Sequence, residues 1–245
     1  MKIKGIVFLI LGVVQGVTYA QTSVDTLENV DRSNPSLISL NIDATYGMPR
    51  GEFRETLDRN AIGGSLEVLY HFPKTILEVG LGFSYLHFGT NRKSLFAGLN
   101  YKTTSGMFVP SILVRADPKF RNISPYLEGS IGLNATNAQT KISGIIANLF
   151  DEDDEYLNEF YDTSLSYGFG AGLKILLKDW DYEDQKKTRL YLHIKGRYNY
   201  GGEVRYLTKD GVQIIENQNE TEFVYNLSNS RTDLTTFQIG IYIGM

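Results

Sequence analysis

The sequence predicts an all-β protein that closes into an eight-stranded antiparallel transmembrane β-barrel. Three observations predict this fold: a regular amphipathic strand at the C-terminal end, seven earlier segments in which apolar and polar residues alternate, and connections that alternate between long and short. The 16 tyrosines, 13 phenylalanines and 24 glycines suit a β-rich chain with tight turns and aromatic belts.

The strand at the end of the sequence, residues 231–245, separates two kinds of side chain most clearly. Side chains alternate between the two faces of a strand. The apolar face carries Thr235, Phe237, Ile239, Ile241, Ile243 and Met245. The other face carries Leu234, Thr236, Gln238, Gly240, Tyr242 and Gly244. An amphipathic edge strand needs a partner, so we expect this strand to pair with the first strand of a closed barrel.

The beginning of the sequence predicts export. Two lysines precede an apolar run over residues 6–14, and small residues follow up to Ala20. This order is typical of a secretory signal peptide, which we predict over residues 1–20. The run is too short and too interrupted for a membrane anchor. A polar periplasmic leader over residues 21–35 and an outer-membrane barrel over residues 36–245 complete the predicted domain organisation.

Eight segments alternate with a period of two, which is the pattern of strands with two different faces. They cover residues 36–48, 61–72, 75–88, 101–115, 125–136, 163–177, 189–200 and 231–245. We assign the more apolar face of each segment to lipid and the other face to the interior. In the fourth segment, lipid-facing Phe108 and Ile112 leave Arg115 inside. A soluble sandwich or lipocalin-like barrel also alternates, but the terminal strand and the loop lengths favour the membrane barrel.

The connections between these segments alternate in length. Long ones cover residues 49–60, 89–100, 137–162 and 201–230, and shorter ones cover 73–74, 116–124 and 178–188. Because membrane barrels have short periplasmic turns and longer outer loops, we expect periplasmic termini. In the last long connection, two β-like runs around Lys209, Asp210 and Gly211 predict a hairpin above the membrane.

Aromatic residues on the lipid-facing sides predict two interfacial belts. The belt near the outer interface consists of Tyr46, Tyr85, Tyr167, Phe169, Tyr198, Tyr200 and Phe237, and the belt near the inner interface consists of Tyr70 and Phe72. Such belts are expected where amphipathic rings meet lipid headgroups.

Charged side chains of both signs fall on the interior faces. The predicted lumen charge cluster consists of Glu67, Glu78, Arg115, Glu128, Lys174, Lys195 and Arg197. The interior of an eight-stranded barrel is only wide enough for side chains to fill it, and buried charges are tolerable only when they are paired. We therefore expect an ion-paired plug rather than an open pore.

Composition excludes several classes of protein. The chain has no cysteine, so it is neither a disulfide scaffold nor a lipoprotein. With 24 basic and 28 acidic residues, it has no basic excess that points to nucleic acid. The acidic run over residues 151–155 lacks the spaced carboxylates and glycine of a calcium loop, so we interpret it as a solvated charge run. No cofactor or metal site is predicted, since the sequence has no phosphate loop, zinc spacing or nucleophile elbow.

The three histidines are the remaining candidates for chemistry. His71 and His193 point inward, and His87 points outward near the outer rim, beside Ser84 and Tyr85. Lipid-modifying barrel enzymes use a histidine together with a serine and an acid, and we find no histidine with both partners on its face. We therefore expect satisfied or interfacial histidines and no catalytic residue.

Several stretches of the chain carry a family resemblance. They are PRGEFRETLDRNAIGGSLEVLYHF (49–72), PYLEGSIGLN (125–134), SYGFGAGLKI (166–175), GRYNYGGEVRYL (196–207) and SRTDL (230–234). Together with the signal and the closing strand, they resemble small Gram-negative outer-membrane β-barrels of the OmpA and OmpX kind. The resemblance implies an outer-membrane location, contact with membrane lipid and lipopolysaccharide, and recognition of the C-terminal strand by the barrel-assembly machinery. The sequence ends in Met245, whereas such barrels often end in phenylalanine.

The sequence therefore predicts a non-enzymatic outer-membrane protein that is structural or binds a surface partner through its long loops. The expected partner class is an extracellular protein or glycan. Two alternatives remain open. A channel or transporter for a small apolar molecule requires a continuous lumen, and a lipid-modifying enzyme requires a histidine, serine and acid cluster at one rim.

Overall fold

Ten strands and one short helix form the part of the protein that the computed structural model describes, residues 37–94, 99–120, 122–144, 156–181, 187–217 and 220–245. The elements are β1 (Ile38–Pro49), α1 (Gly51–Leu57), β2 (Ala61–His71), β3 (Leu77–Ser94), β4 (Leu99–Ala116), β5 (Ile123–Gly144), β6 (Tyr156–Asp181), β7 (Lys187–Gly201), β8 (Glu203–Asn217), β9 (Glu220–Arg231) and β10 (Leu234–Gly244). The predicted signal (1–20), leader (21–35) and acidic run (151–155) lie outside the described residues.

Eight of these strands close into an antiparallel barrel in the order β1-β10-β7-β6-β5-β4-β3-β2. The barrel closes where β1 pairs with β10, with Ser39 opposite Gly244 and Pro49 opposite Leu234. The expectation that the last strand pairs with the first is therefore confirmed. We call the end of the barrel with the short connections, near Lys74, the turn end, and the end with α1 and the β8–β9 hairpin the loop end.

The facing of the strands follows the alternation in the sequence. On β1, Asn41 and Asp43 are buried inside the barrel, whereas Ile42 on the other face is 54% exposed. On β4, the least regular strand in the sequence, Ile112 is 52% exposed and Arg115 is fully buried. The predicted lipid-facing and interior faces are confirmed on both strands, because an apolar exterior and a polar interior impose a strict period of two.

Strands β3 to β6 are longer than the sequence pattern predicts. They contain 18, 18, 22 and 26 residues, and their ladders continue into the predicted loops 89–100 and 137–162. At the far end, Ser94 lies opposite Asn100 and Lys141 lies opposite Tyr156. The period of two reports a contrast between lipid and interior. It does not mark strand residues that extend past the closed barrel, where this contrast ends.

The predicted loop over residues 49–60 contains the helix α1. It begins at Gly51, which has a φ of 54°, and is capped at its C-terminal end by Asp58, which has a φ of 44°. The backbone N–H of Arg50 donates to the Asp233 carbonyl at 2.8 Å, which ties the start of the helix to the residue that precedes β10. None of the described helical residues forms an apolar segment long enough to span a membrane.

The predicted hairpin in the last long connection is present as β8 and β9, which form a separate two-stranded sheet. Its strands meet between Asn217 and Glu220, not at residues 209–211, where the register shifts instead between Leu207 and Val212. The predicted turn position is therefore wrong. A turn-forming run of Lys, Asp and Gly is accommodated as an irregularity within a longer hairpin.

The base of this hairpin is fixed to the barrel by hydrogen bonds. The backbone N–H of Gly201 donates to the Asp233 carboxylate at 3.1 Å, and the backbone N–H of Gly202 donates to the Leu165 carbonyl at 2.9 Å. The Asn134 amide donates to the Thr232 hydroxyl at 2.8 Å. Two of these bonds involve Thr232 and Asp233, so the SRTDL stretch (230–234) that connects β9 to β10 also holds the base of the hairpin on the barrel.

Candidate functional site

The seven charged residues predicted to face the interior come from six strands, β2 to β7. Glu67 lies on β2, Glu78 on β3, Arg115 on β4, Glu128 on β5, Lys174 on β6, and Lys195 and Arg197 on β7. All seven are buried and contact one another or a common neighbour. The structure therefore brings the whole predicted set into one network that crosses the interior.

Five of these residues form the central ion-pair cluster: Glu67, Arg115, Glu128, Lys195 and Arg197. Arg115 donates to Glu67 at 2.9 Å and to Glu128 at 2.6 Å. Arg197 reaches Glu67 at 3.0 Å and also bonds Glu128, while Lys195 bonds Glu67 and lies 3.4 Å from Glu128. Each carboxylate is thus shared by three cations, which offsets the cost of burying the charges.

A second group lies closer to the turn end. Lys174 forms an ion pair with Asp117, and its Nζ is 3.9 Å from Glu78. Glu78 is also 2.7 Å from Nδ1 of His71. In the turn between β4 and β5, Asp117 accepts a bond from the Ser124 hydroxyl at 2.6 Å. Burial lowers the pKa of the nearby Lys119 ammonium, against the attraction of Glu78 and Asp117.

Both inward histidines are held between a carboxylate and a tyrosine hydroxyl. Nδ1 of His193 lies 2.7 Å from Asp43, and its Nε2 bonds the hydroxyl of Tyr126. Nε2 of His71 lies 3.0 Å from the Tyr242 hydroxyl, and its Nδ1 faces Glu78. The expectation of a satisfied inward histidine is confirmed for His193, whereas His71 has one hydrogen bond, to Tyr242, and lies beside Glu78. Each of the two histidines has an acid partner that we did not identify from the sequence.

Cations also lie over the rings of the same tyrosines. The Arg115 guanidinium is 4.1 Å from the Tyr126 ring centroid, and Lys174 Nζ is 4.2 Å from that of Tyr242. Such contacts stabilise buried cations. The lumen charge cluster predicted from the sequence does not include four members of this network: Asp43, Asp117, Tyr126 and Tyr242. Three of them sit at inward positions and follow from the alternation, whereas Asp117 lies in a turn, where alternation carries no signal.

Glycines on the interior face make room for these large side chains. A Cβ atom at Gly172 would lie 2.3 Å from the Tyr126 ring, and one at Gly240 would lie 2.5 Å from the Asp43 carboxylate. Gly240 sits between Asp43 and His193 in the strand register, so its missing side chain lets these two residues meet across β10. The run of small residues inside β6 therefore serves the packing of its neighbours.

The loop end of the interior is apolar, so the ion-paired plug does not extend over the whole length of the barrel. A buried cluster there contains Phe53, Leu57, Ala61, Leu86, Phe88, Met107, Val109, Val204 and Leu234. Phe53 and Leu57 come from α1, and the Phe53 and Phe88 rings meet edge to face at 5.5 Å. Because the helix covers these inward side chains, they are shielded from water and apolar residues are favoured. The barrel is therefore filled by ion pairs at its centre and capped by α1.

The outer surface has the opposite composition. Its exposed apolar side chains include Ile62, Leu66, Leu81, Ile112, Leu127, Ile131, Leu165, Ile239 and Ile241. Among the outward aromatic residues, Tyr167 stacks on Tyr200 at 5.3 Å at the loop end, and Tyr70 meets Phe72 at 5.4 Å at the turn end. An apolar band outside a closed sheet with a charged interior is the arrangement of a transmembrane β-barrel.

Comparisons with known proteins give similar chains among solved structures. No protein-family model matches the sequence, and no curated protein matches it significantly. Among solved structures, the chain is similar to Neisserial surface protein A, at 13% identity over 86% of this chain and 99% of that one, with a TM-score of 0.44. It is also similar to the N-terminal β-barrel domain of OprF from Pseudomonas aeruginosa, at 13% identity over 85% and 99% of the two chains, with a TM-score of 0.37.

A third similar structure is Ail, the attachment invasion locus protein of Yersinia pestis, at 18% identity over 84% of this chain and 95% of that one, with a TM-score of 0.36. At these values the likeness carries no argument about function. The fold of this chain therefore rests on its own strand pairing and on the facing of its side chains, and both describe an eight-stranded transmembrane β-barrel.

Proposed function

We propose that this chain is a non-enzymatic outer-membrane protein that acts through its loop end, as a structural component or by binding a surface partner. The observation that carries the proposal is the filled interior. The central ion-pair cluster and the apolar cluster under α1 occupy successive levels of the barrel. Because side chains occupy the interior, we assign the function to the loop end and the lipid-facing surface.

A bacterial outer membrane is the location that this architecture supports. Only a closed barrel satisfies all strand hydrogen bonds in lipid, and bacterial barrels have an even number of strands. We further propose that both termini are periplasmic, because the turn end has the short connection at Lys74 and the loop end has the long ones. A signal peptide over residues 1–20 stays a prediction from the sequence.

The loop end projects well beyond the closed barrel. The β6–β7 ladder ends where Ser166 lies opposite Gly201, but β6 continues for ten more residues to Tyr156, or roughly 30 Å at the rise of a strand. Likewise, the β2–β3 ladder ends at His87, but β3 continues to Ser94. The described parts of β3 to β6 thus form a sheet above the barrel.

The β6 edge of this sheet supports a role in binding. Along residues 156–164, the ladder of β6 pairs with β5 and with no other described strand. The β8 strand touches this edge near its base, where the backbone N–H of Arg205 donates to the Asp162 carboxylate at 2.7 Å. An edge strand presents a row of backbone donors and acceptors to which an extended segment of another protein can pair. We therefore propose an extracellular protein or glycan as the partner of the loop end, with lipid and lipopolysaccharide around the barrel.

The barrel-assembly machinery is the proposed partner during biogenesis, through β10. This strand closes the barrel against β1 and carries an unbroken outward row of apolar side chains, among them Phe237 and Ile241. Neither alternative function is favoured by the structure. A transporter of small apolar molecules would need to displace the central ion-pair cluster, and His71 and His193 are at most 3% exposed, so a lipid substrate does not reach them.

The proposal is tested by electrical recording. We expect the purified protein, inserted into planar bilayers, to give no stable nanosiemens-scale channel, because charged side chains at several levels bridge the interior. A general porin inserted from the same detergent serves as the positive control, and detergent alone serves as the blank. Stable open channels from folded protein, verified by heat-modifiable gel migration, would contradict the proposal and favour a channel.

A further inference from the structure

An apolar groove of about 710 Å³ crosses the lipid-facing surface of the barrel over the β1–β10 seam. The small residues Ala44, Ala171 and Gly196 line it between the larger side chains of Tyr46, Ile194 and Phe237. In a membrane, this surface faces the acyl chains of lipids. The groove is therefore a place where an acyl chain can lie against the barrel instead of passing over side chains of equal height.

The deepest part of the groove is explained by the strand register. Gly196 on β7 lies opposite Phe237 on one side and opposite Ala171 on the other. A Cβ atom at Gly196 would meet only the Phe237 ring within 4 Å, at an ordinary contact distance of 3.8 Å. The packing of the barrel therefore does not require a glycine at this position, and its effect is to keep the groove open.

A guanidinium group lies at the loop-end side of the groove. Thr235 is the next outward residue from Phe237 toward the loop end, and its hydroxyl accepts a bond from Nε of Arg50 at 2.9 Å. Within the part of the chain that the structure describes, no carboxylate pairs with the Arg50 side chain, whereas Arg231 lies 3.8 Å from Asp233. Arg50 is half-buried, and its two terminal nitrogens are left for another acceptor. A guanidinium group of this kind binds phosphate oxygens well.

Outward aromatic rings on β6 and β7 lie beside this guanidinium group. Tyr198 lies opposite Thr235 in the strand register, and its ring centroid is 4.7 Å from that of Tyr200. Phe169 stacks on Tyr198 at 6.2 Å and is 61% exposed. Exposed rings offer flat apolar faces and, in tyrosine, a hydroxyl group. These groups suit the C–H faces and the hydroxyl groups of a sugar ring.

We propose that this surface binds the lipid A part of lipopolysaccharide, with an acyl chain in the groove, a phosphate on Arg50 and the sugar against Tyr198 and Phe169. The three features follow one another toward the loop end, as acyl chains, phosphate and sugar do in an acylated, phosphorylated sugar. A phospholipid would fill the groove and reach Arg50 but would leave the rings without a sugar. The inference rests on the proposed function, which places the loop end on the outer side of the membrane.

The test measures lipid binding to the folded, full-length protein in detergent by native mass spectrometry. The probes are bisphosphorylated lipid A, dephosphorylated lipid A and phosphatidylglycerol, each titrated separately. We expect bisphosphorylated lipid A to form a one-to-one complex. Its apparent Kd should be roughly tenfold lower than that of either other lipid, because each of them lacks the phosphate or the sugar contact.

Two variants localise the binding. Gly196→Leu fills the groove with an apolar side chain for which the barrel has room, and Arg50→Gln removes the guanidinium group. We expect each variant to raise the apparent Kd for lipid A roughly tenfold. Heat-modifiable gel migration verifies folding, and either variant serves alone if the other does not fold.

Two matched controls should bind lipid A as the wild type does. Gly129→Leu adds the same side chain at an outward position of β5 that does not line the groove, where a Cβ atom would meet nothing within 4 Å. Arg205→Gln removes an arginine of β8 whose side chain is 71% exposed.

Four outcomes would overturn the proposal. The absence of a one-to-one complex with lipid A would mean that lipids exchange freely around the barrel. Equal affinity for phosphatidylglycerol would exclude recognition of the sugar, and equal affinity for dephosphorylated lipid A would exclude the phosphate contact. Wild-type affinity in folded Gly196→Leu would place the acyl chain elsewhere. None of these outcomes alters the electrical recording, so the proposed function stands or fails separately.

Discussion

At the scale of single residues, the positions without a side chain decide what fits inside the barrel. Tyr126 crosses the interior over Gly172, and its hydroxyl reaches His193. We expect Gly172→Ala to cost about 1–3 kcal/mol in the free energy of unfolding, because the new methyl group would overlap the Tyr126 ring. The measurement is the denaturation of the protein in lipid vesicles.

The matched control for this change is Gly129→Ala. Gly129 faces outward on the neighbouring strand β5, and a Cβ atom there would meet nothing within 4 Å. We expect this variant to be as stable as the wild type or slightly more stable, since alanine loses less chain entropy than glycine on folding. Equal costs at Gly172 and Gly129 would show that the two strands respond to the loss of glycine itself.

Arg115 is the residue whose removal should damage the interior most. It is fully buried and bonds both Glu67 and Glu128. We expect Arg115→Met to cost about 3–5 kcal/mol, because two buried carboxylates would each lose a partner. Arg205→Met removes an arginine whose side chain is 71% exposed and should change the stability by about 1 kcal/mol or less. Similar losses in the two variants, measured by urea unfolding, would contradict a buried structural role for Arg115.

At the scale of elements, the short helix α1 decides whether the loop end is closed. Phe53 and Leu57 are its buried residues, and Phe53 is 1% exposed. We expect Phe53→Ala to cost about 3–5 kcal/mol, as for other fully buried aromatic residues, whereas exposed Glu55→Ala should be close to neutral. The rate of proteolysis around Pro49 and Asp58 measures the loosening of the helix directly. An equal cleavage rate in both variants would contradict a packing role for Phe53.

The sequence predicts the eight barrel strands better than the elements beyond them. The strand 163–177 is recognised because apolar residues such as Leu165 alternate with Ser and Gly, but its continuation to Tyr156 carries no such contrast. The helix α1 is too short for a helical period, since only Phe53 and Leu57 mark its buried face. Both elements owe their structure to tertiary contacts, which a single sequence does not display.

The candidate site could also be predicted from the sequence only in part. Alternation places Glu67, Arg115 and Arg197 inside, and a narrow barrel makes their pairing the natural expectation. Which cation meets which carboxylate depends on the register between strands. The pairing of Asp43 with His193 across Gly240 could not be read from the sequence, because it depends on the register of both residues with Gly240.

At the scale of the whole molecule, the orientation in the membrane is open to a direct test. The chain has no cysteine, so a single introduced cysteine is the only site for a maleimide. We expect Asn217→Cys, at the end of the β8–β9 hairpin, to react with a membrane-impermeant maleimide on intact cells. Lys74→Cys, in the turn between β2 and β3, should react only after the outer membrane is permeabilised. The reverse pattern would place the termini outside the cell.

The seam between β1 and β10 also determines the order of the steps in barrel assembly. It joins Ser39 to Gly244, almost the full length of the chain apart, so the two partners meet only after every intervening strand has been delivered. The central cluster draws its charges from β2, β4, β5 and β7, and a flat sheet would expose those charges to lipid at high cost. Insertion one strand at a time is therefore disfavoured, and the rate of assembly should be governed by one late step in which the curled sheet closes and traps its charges together.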